Sequence, residues 1–276
     1  MPLVVNTNVA SLRAQTDLGN SQGALQKSFQ RLSSGFRINQ ASDDSAGMGI
    51  SESLKSRISS FTVAERNTNN AISMTNTAEG GLNQISGIIL RMRELSVQSA
   101  NGDLTSTDRS YIDTEFQQLK SEIDRLAETT QFNNKELLAG TAADITFQVG
   151  INTTTFDSIS VSFGGIDVSA LGLSGVSVGG ANSTNATSAI DSLDAALTSV
   201  STKRSSLGAA TNRLSEAIAN AQTMRTNLSA ANSSIRDVDI ASETSQLARS
   251  QVLMQAGTSV LAQANQAPQL ALSLIG

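Results

Sequence analysis

Apolar side chains recur every seventh residue over much of the second half of the chain. Leu193, Val200, Leu207, Leu214, Ala221, Leu228 and Ile235 form one row, and Ile190, Leu197 and Ile218 lie on a second row three residues earlier. This stripe predicts a helix with a coiled-coil seam, about 70 Å long at ~1.5 Å per residue. Arg204, Thr211, Arg225 and Asn232 interrupt the second row, so the seam is narrow and its partner imposes the register. In the first half, Ile112, Phe116, Leu119, Ile123 and Leu126 alternate steps of four and three, with Ser106, Thr107 or Asp108 as the cap. Upstream, Ile85, Ile89, Met92 and Val97 predict a less regular helix that Asn101, Gly102 and Asp103 end. Two helices joined by so short a turn run antiparallel, and the long helix after Thr187 is their natural partner.

Both ends of the chain are amphipathic and poorly charged. No charged residue follows Arg249, yet Leu253, Met254, Val260, Leu261 and Ala264 recur at helical spacing on a Gln, Ser and Asn background. A helix without a charged face is expected to be buried against something. Five glutamines (251, 255, 263, 266 and 269) interrupt the segment, so a bilayer span of ~20 apolar residues is a poor explanation. Other protein is the remaining candidate. Pro268 is expected to end or kink this helix. At the other end, Leu18, Leu25 and Leu32 are spaced by seven, with Phe29 and Phe36 completing the stripe.

Between the helical halves the character changes. The stretch 140–180 holds eight of the chain's 20 glycines, and no Lys or Arg stands between Glu136 and Thr202. Residues 145–149 and 158–163 alternate in period two, which predicts short strands joined by turns, with an acidic, Ser/Thr-rich, solvated surface. The fold class is therefore mainly α: a long antiparallel helical bundle or coiled coil with a small β-hairpin region at about 140–185.

Composition narrows the chemistry. Aromatic residues make up 3% of 276 residues, with no Trp and one Tyr, so aliphatic seams between rods replace a thick core. The chain has no Cys and no His, which removes thiol nucleophiles, imidazole bases and most zinc or transition-metal sites. No enzyme activity and no cofactor are expected. A net charge of −5 without a basic stripe argues against nucleic acid. Residues 1–15 lack the pattern of a secretory signal peptide, so export would use another route. Asp43 and Asp44 have no third acid nearby to make a metal site; after Ser42 they suit a helix start, where negative charge meets the dipole. Gly47 and Gly49 form a lone GxG, too little for a phosphate loop.

Four blocks carry a resemblance. RLSSGFRINQASDDSAGMGI from Arg31, RMRELSVQSANG from Arg91, TQFNNKELLAG from Thr130 and AGTSVLAQANQAPQLALSLIG from Ala256 resemble bacterial flagellin, the subunit of the flagellar filament. The resemblance spans roughly residues 1–140 and 185–276. Larger flagellins insert outer domains where this chain has only its Gly-rich segment, so it resembles a minimal form.

The resemblance implies a structural protein that self-polymerises into the filament used for swimming motility, secreted through the flagellar type III apparatus to the extracellular filament. Residues 1–42 and 235–276 would form a terminal coiled-coil domain in the filament core, and 43–234 a helical bundle domain. Leu18, Leu25, Phe29, Leu32, Leu253, Val260 and Leu261 would carry polymerisation, by heterologous contacts that do not close. The implied partners are other flagellin subunits, hook-associated proteins, the filament cap, an export chaperone at the C-terminal end and the flagellin-sensing Toll-like receptor of animal hosts. For that receptor, Arg91, Leu95 and Glu115 would be the contacts. No nucleic acid and no membrane are implied. A hook–filament junction protein shares the paired terminal helices, and a coiled-coil adaptor would share the heptads but remain a discrete oligomer.

Overall fold

The computed structural model describes residues 7–140 and 144–273, and side chains as far as residue 266. The described helices are α1 (Val9–Ser34), α2 (Ser45–Ser99), α3 (Ser106–Thr129), α4 (Thr184–Arg236) and α5 (Ile240–Ser273). The strands are β1 (Gln131–Phe132), β2 (Lys135–Glu136), β3 (Ile145–Gln148) and β4 (Ser158–Val161). Packing divides the chain into two compact units, Met1–Ile58 with Thr226–Gly276, and Ser59–Arg225. The sequence placed its division at 42/43 and 234/235, close to where α2 begins and α4 ends. Packing draws it inside α2 and α4, because each of these helices runs on without a break.

In the unit 59–225, α2 buries an unbroken row: Ala64, Thr68, Ala71, Thr75, Ala78, Leu82, Ile85, Ile89, Met92, Ser96 and Ser99. Only Leu82, Ile85, Ile89 and Met92 stand out in the sequence, since the rest of the row is Ala, Thr and Ser. The Thr68 and Thr75 hydroxyls donate back to the Ala64 and Ala71 carbonyls, so burying them leaves no donor unpaired. Val97 falls outside the row and is exposed.

Phe116 and Ile123 of α3, with Leu193, Val200, Leu207 and Leu214 of α4, complete the core. Full burial of each such side chain contributes about 1.5–3 kcal/mol. The second buried row of α4 consists of Ala189, Ala196 and Ala210, whereas Ile190, Leu197 and Ile218 are only half-buried. Small residues let the rods approach closely, which a search for large apolar positions overlooks.

Ion pairs fix the register. Arg93 to Asp194 (2.7 Å), Arg204 to Glu79 (3.2 Å) and Arg225 to Glu65 (2.8 Å) bind α4 antiparallel to α2. The cap of α3 lies one residue before Ser106: Thr105 is the N-cap, in a reciprocal capping box with Asp108. Arg109 of α3 is buried and donates to the carbonyls of Ser99, Asn101 and Ala181. One guanidinium thus joins the end of α2, the turn and the approach to α4.

β1 pairs antiparallel with β2 through a two-residue turn in which Asn133 and Asn134 have φ of 50° and 61°. That conformation suits a hairpin, and Asn tolerates it better than most residues. β3 pairs antiparallel with β4, Ile145 opposite Val161, as the period-two alternation predicts. The segment after β4 differs from the solvated surface expected of it. Phe163, Ile166, Val168, Leu171, Leu173 and Val178 join the core. Two α3 carboxylates hold its backbone: Asp124 accepts the Val168 N–H at 2.8 Å, and Asp113 accepts Val178 N–H at 2.8 Å. Burial raises the Asp113 pKa, but hydrogen bonds from Val178, Ser177, Gln117 and Gly179 outweigh it and hold the carboxyl below its ordinary value.

Candidate functional site

The unit Met1–Ile58 with Thr226–Gly276 is built on α1 and α5. On α1, Ser11, Ala14, Leu18, Ser21, Leu25, Ser28 and Leu32 are buried or half-buried, alternating steps of three and four. On α5 the same holds for Glu243, Leu247, Ser250, Met254, Gly257, Leu261 and Ala264. The helices pair antiparallel. Asn8 Nδ2 donates to the Ala264 carbonyl (2.7 Å), Ser11 Oγ to Asn265 Oδ1 (2.8 Å), and Arg31 meets Glu243 at 3.4 Å. At mid-length, a Cβ built on Gly257 would stand 3.4 Å from Leu18 Cδ1, so this leucine rests on bare backbone.

Half of this seam is Ser, Ala and Gly, which buries little apolar area per turn. Its signal in the sequence is the alternating spacing alone. Apolarity points to Leu18, Leu25, Leu32 and Leu261, all half-buried, but overlooks the small polar positions between them.

Helix α5 does not end at Pro268; it continues to Ser273. A proline has no N–H for the carbonyl four residues back, which here is that of Ala264. Asn8 fills the gap. Its Nδ2 donates to the Ala264 oxygen while its Oδ1 accepts the Ser11 N–H at 3.0 Å and caps α1. Asn8→Asp, which keeps the cap but removes the donor, is expected to speed amide exchange in α5 around residue 264. The loss would be about 1 kcal/mol of local stability, and exchange unchanged from the parent chain would refute the pairing. Readings that concern the side chains of Gln269 and the terminal LALSLI sequence lie outside the described residues.

Phe29, Leu253 and Val260 stand apart from the seam, at 54%, 53% and 52% exposure. Val9, Leu12, Ile240 and Val252 are likewise exposed. The residues expected from the sequence to carry polymerisation thus form two groups. Leu18, Leu25, Leu32 and Leu261 face the intramolecular seam, and Phe29, Leu253 and Val260 remain open to another molecule.

At the base of this unit the two connecting segments are clasped. Arg37 N–H donates to the Arg236 carbonyl at 2.7 Å, and Val238 N–H to that of Gly35 at 3.0 Å. The Arg236 guanidinium lies 4.6 Å over the Phe36 ring and reaches Glu52 at 3.2 Å. Gly35, at φ +75°, closes α1 in the left-handed region, which favours glycine. Helix α2 is capped by Asp44, which accepts the Gly47 N–H at 2.8 Å; Ser42 is not the cap.

Asp43 instead meets Lys27 at 2.7 Å. The hydrogen bond from Lys27, followed by that from Asn39 N–H, holds its pKa at about 2 against an ordinary 3.8. A depressed carboxylate pKa adds stability at pH above the unfolded value, and that stability is lost as pH falls through the folded value. The melting-temperature gap between the parent chain and Asp43→Asn should therefore be full above pH 3.8 and close towards pH 2. A gap independent of pH across that window would refute the pairing.

On the unit 59–225, Arg91 reaches Glu115 at 2.9 Å and Glu94 at 3.0 Å, so two of the three residues implied as receptor contacts form one exposed cluster. Leu95 does not join them. At 2% exposure it belongs to the core, because its helical position turns it inward beside Met92 and Ser96. Among the described residues no group of three or more potential ligands is placed to hold a metal ion, and no helix is long and apolar enough to cross a membrane.

Comparison with known proteins agrees with this arrangement. Residues 5–143 match the bacterial flagellin N-terminal helical region, and residues 190–275 match the bacterial flagellin C-terminal helical region. A flagellin of Halalkalibacterium halodurans is 42% identical over 273 residues, covering 99% of this chain and 100% of the relative. The flagellar filament 33 kDa core protein of Treponema phagedenis is 39% identical over 289 residues, covering 99% and 100%. Among solved structures, Bacillus cereus flagellin is 34% identical with a TM-score of 0.50, covering 60% of this chain and 94% of that one.

Proposed function

The chain belongs to the bacterial flagellin family, and we propose from that premise how its termini carry assembly. As a flagellin it is a structural protein, a subunit that polymerises with other flagellin subunits into the flagellar filament of motile bacteria. The finer reading concerns which side chains do this. Leu18, Leu25, Leu32 and Leu261 hold α1 to α5 within one subunit, and Phe29, Leu253 and Val260 bind neighbouring copies. The supporting observation is that these last three lie exposed outside a seam already complete without them.

Polymerisation would bury both helices on a second side, which the small-residue seam alone does not do. Because that contact joins unlike surfaces, it repeats without closing and yields a helical polymer. In the same reading the subunit is exported to the cell exterior with a chaperone on its C-terminal end. It then meets hook-associated proteins and the filament cap, and the free subunit presents Arg91 and Glu115 to a Toll-like receptor of animal hosts.

Purified subunits incubated with short filament seeds should extend them into long filaments visible by electron microscopy. A discrete oligomer that leaves the seeds unchanged would overturn this reading in favour of an adaptor. Neither the family matches nor the relatives favour a hook–filament junction protein.

A further inference from the structure

The turn between α2 and α3 contains Asn101–Gly102, the only Asn–Gly pair in the chain, followed by Asp103. All three residues are exposed. The Asn101 N–H donates to the Gln98 carbonyl at 3.2 Å, and the Asn101 carbonyl oxygen accepts Arg109 Nη2 at 2.8 Å. Arg109 is 4% exposed and is held in turn by the Ser99 carbonyl at 2.9 Å, so its guanidinium is fixed. Among the described residues nothing hydrogen-bonds the Asn101 carboxamide or the Gly102 N–H. A Cβ built on Gly102 would meet nothing within 4 Å, so the residue stands in open space.

We propose that Asn101 is a self-modification site, at which the Gly102 nitrogen closes on the Asn101 side chain and Arg109 acts as a positioning residue. Hydroxide removes the Gly102 amide proton, and the nitrogen attacks Asn101 Cγ. The N–Cγ bond forms, the Cγ–Nδ2 bond breaks, and the leaving nitrogen takes a proton from water to depart as ammonia, regenerating hydroxide. Water then opens the cyclic imide. Attack at Cγ gives aspartate, and attack at the main-chain carbonyl carbon gives isoaspartate with a free carboxylate at that carbon.

Arg109 bears on both stages. The Asn101 carbonyl and the Gly102 N–H belong to one peptide group, so a cation on the oxygen stabilises the anion formed when the nitrogen loses its proton. It also polarises that carbonyl towards water and pairs with the carboxylate that isoaspartate leaves there. The competing sites lack these features. Asn20–Ser21 and Asn232–Ser233 lie within α1 and α4, where the following N–H is held in the helical ladder, and Asn182–Ser183, just before α4, has Ser in place of Gly and, among the described residues, no Arg on the Asn182 carbonyl. The product adds a negative charge beside Asp103, just beyond the C-terminal end of α2, where the helix dipole disfavours it.

The test follows the tryptic peptide Glu94–Arg109 from the folded full chain kept in mildly alkaline buffer, by mass spectrometry, beside the same free synthetic peptide. The expected result is a gain of one mass unit in this peptide, at least as fast as in the free peptide, with a larger isoaspartate share. Peptides containing Asn20 or Asn232 should convert at least about tenfold more slowly. Gly102→Ala, which fits the available space, should suppress the gain, and Arg109→Lys should bring rate and product ratio down to those of the free peptide. Conversion in the folded chain slower than in the free peptide, or equal conversion in Gly102→Ala, would overturn the site. An unchanged rate and ratio in a folded Arg109→Lys chain would overturn the role of Arg109.

Discussion

Filaments should fail to grow from subunits that carry Leu253→Glu together with Val260→Glu, although the isolated subunit keeps its helix content and melting behaviour. Both parent side chains are about half exposed in the monomer, so a carboxylate there stays in water and the α1–α5 seam from Glu243 to Ala264 is untouched. On the proposed reading the same positions face another copy in the polymer. Leaving a charge unpaired in such a contact costs several kcal/mol, and each subunit of the lattice would carry two. With every 1.4 kcal/mol worth tenfold, the critical concentration for seeded growth should rise by at least about 100-fold. The uncharged pair Leu253→Gln and Val260→Thr should fall between the parent and the double Glu chain. Normal elongation by the Glu chain would show that these side chains do not face a neighbour.

Leu95→Ala should destabilise the unit 59–225, and Arg91→Ala should not, which separates packing from recognition on one stretch of α2. Leu95 is buried among Met92 and the α2 row, and truncating a core leucine to alanine costs about 2–5 kcal/mol through lost burial and the cavity left behind. For a unit of this size that lowers the melting temperature by roughly 5–15 °C. Arg91 pairs with Glu94 and Glu115 at a solvated surface, where such pairs add little to stability. Its removal should leave melting unchanged and lower signalling by the free subunit through the flagellin-sensing receptor. Thermal melting and a receptor assay on the same preparations provide the check. Full signalling by a folded Arg91→Ala subunit would remove this residue from the receptor surface.

The helical class was legible from spacing, because helices that pack as rods repeat their apolar contacts at fixed intervals, and the antiparallel order from the short turn at Asn101, Gly102 and Asp103. Phe116, Ile123, Leu193, Val200, Leu207 and Leu214 all reach the core that their periodicity implies. The strand pair β3 and β4 was legible for a similar reason, since alternation is the signature of a strand with one buried face. The full length of α2 was not, because Ala, Thr and Ser at contact positions carry no apolar signal even when a helix buries them completely.

What the sequence determined by itself was therefore most of the helices, the β3–β4 pair, the lack of His and Cys, and the terminal segments that need partners. Tertiary structure decided what each contact position meets. It turned Leu95 inward, although the neighbouring Arg91 is exposed, because a step of four residues moves a side chain around the helix as well as along it. It divided the terminal apolar residues between a seam within the subunit and an exposed face. It also carried α5 past Pro268, against the local rule, because the carbonyl that the proline leaves unpaired is met by Asn8, 256 residues away from Ala264. Local sequence records which backbone group lacks a partner; only the folded chain brings the distant side chain that supplies it.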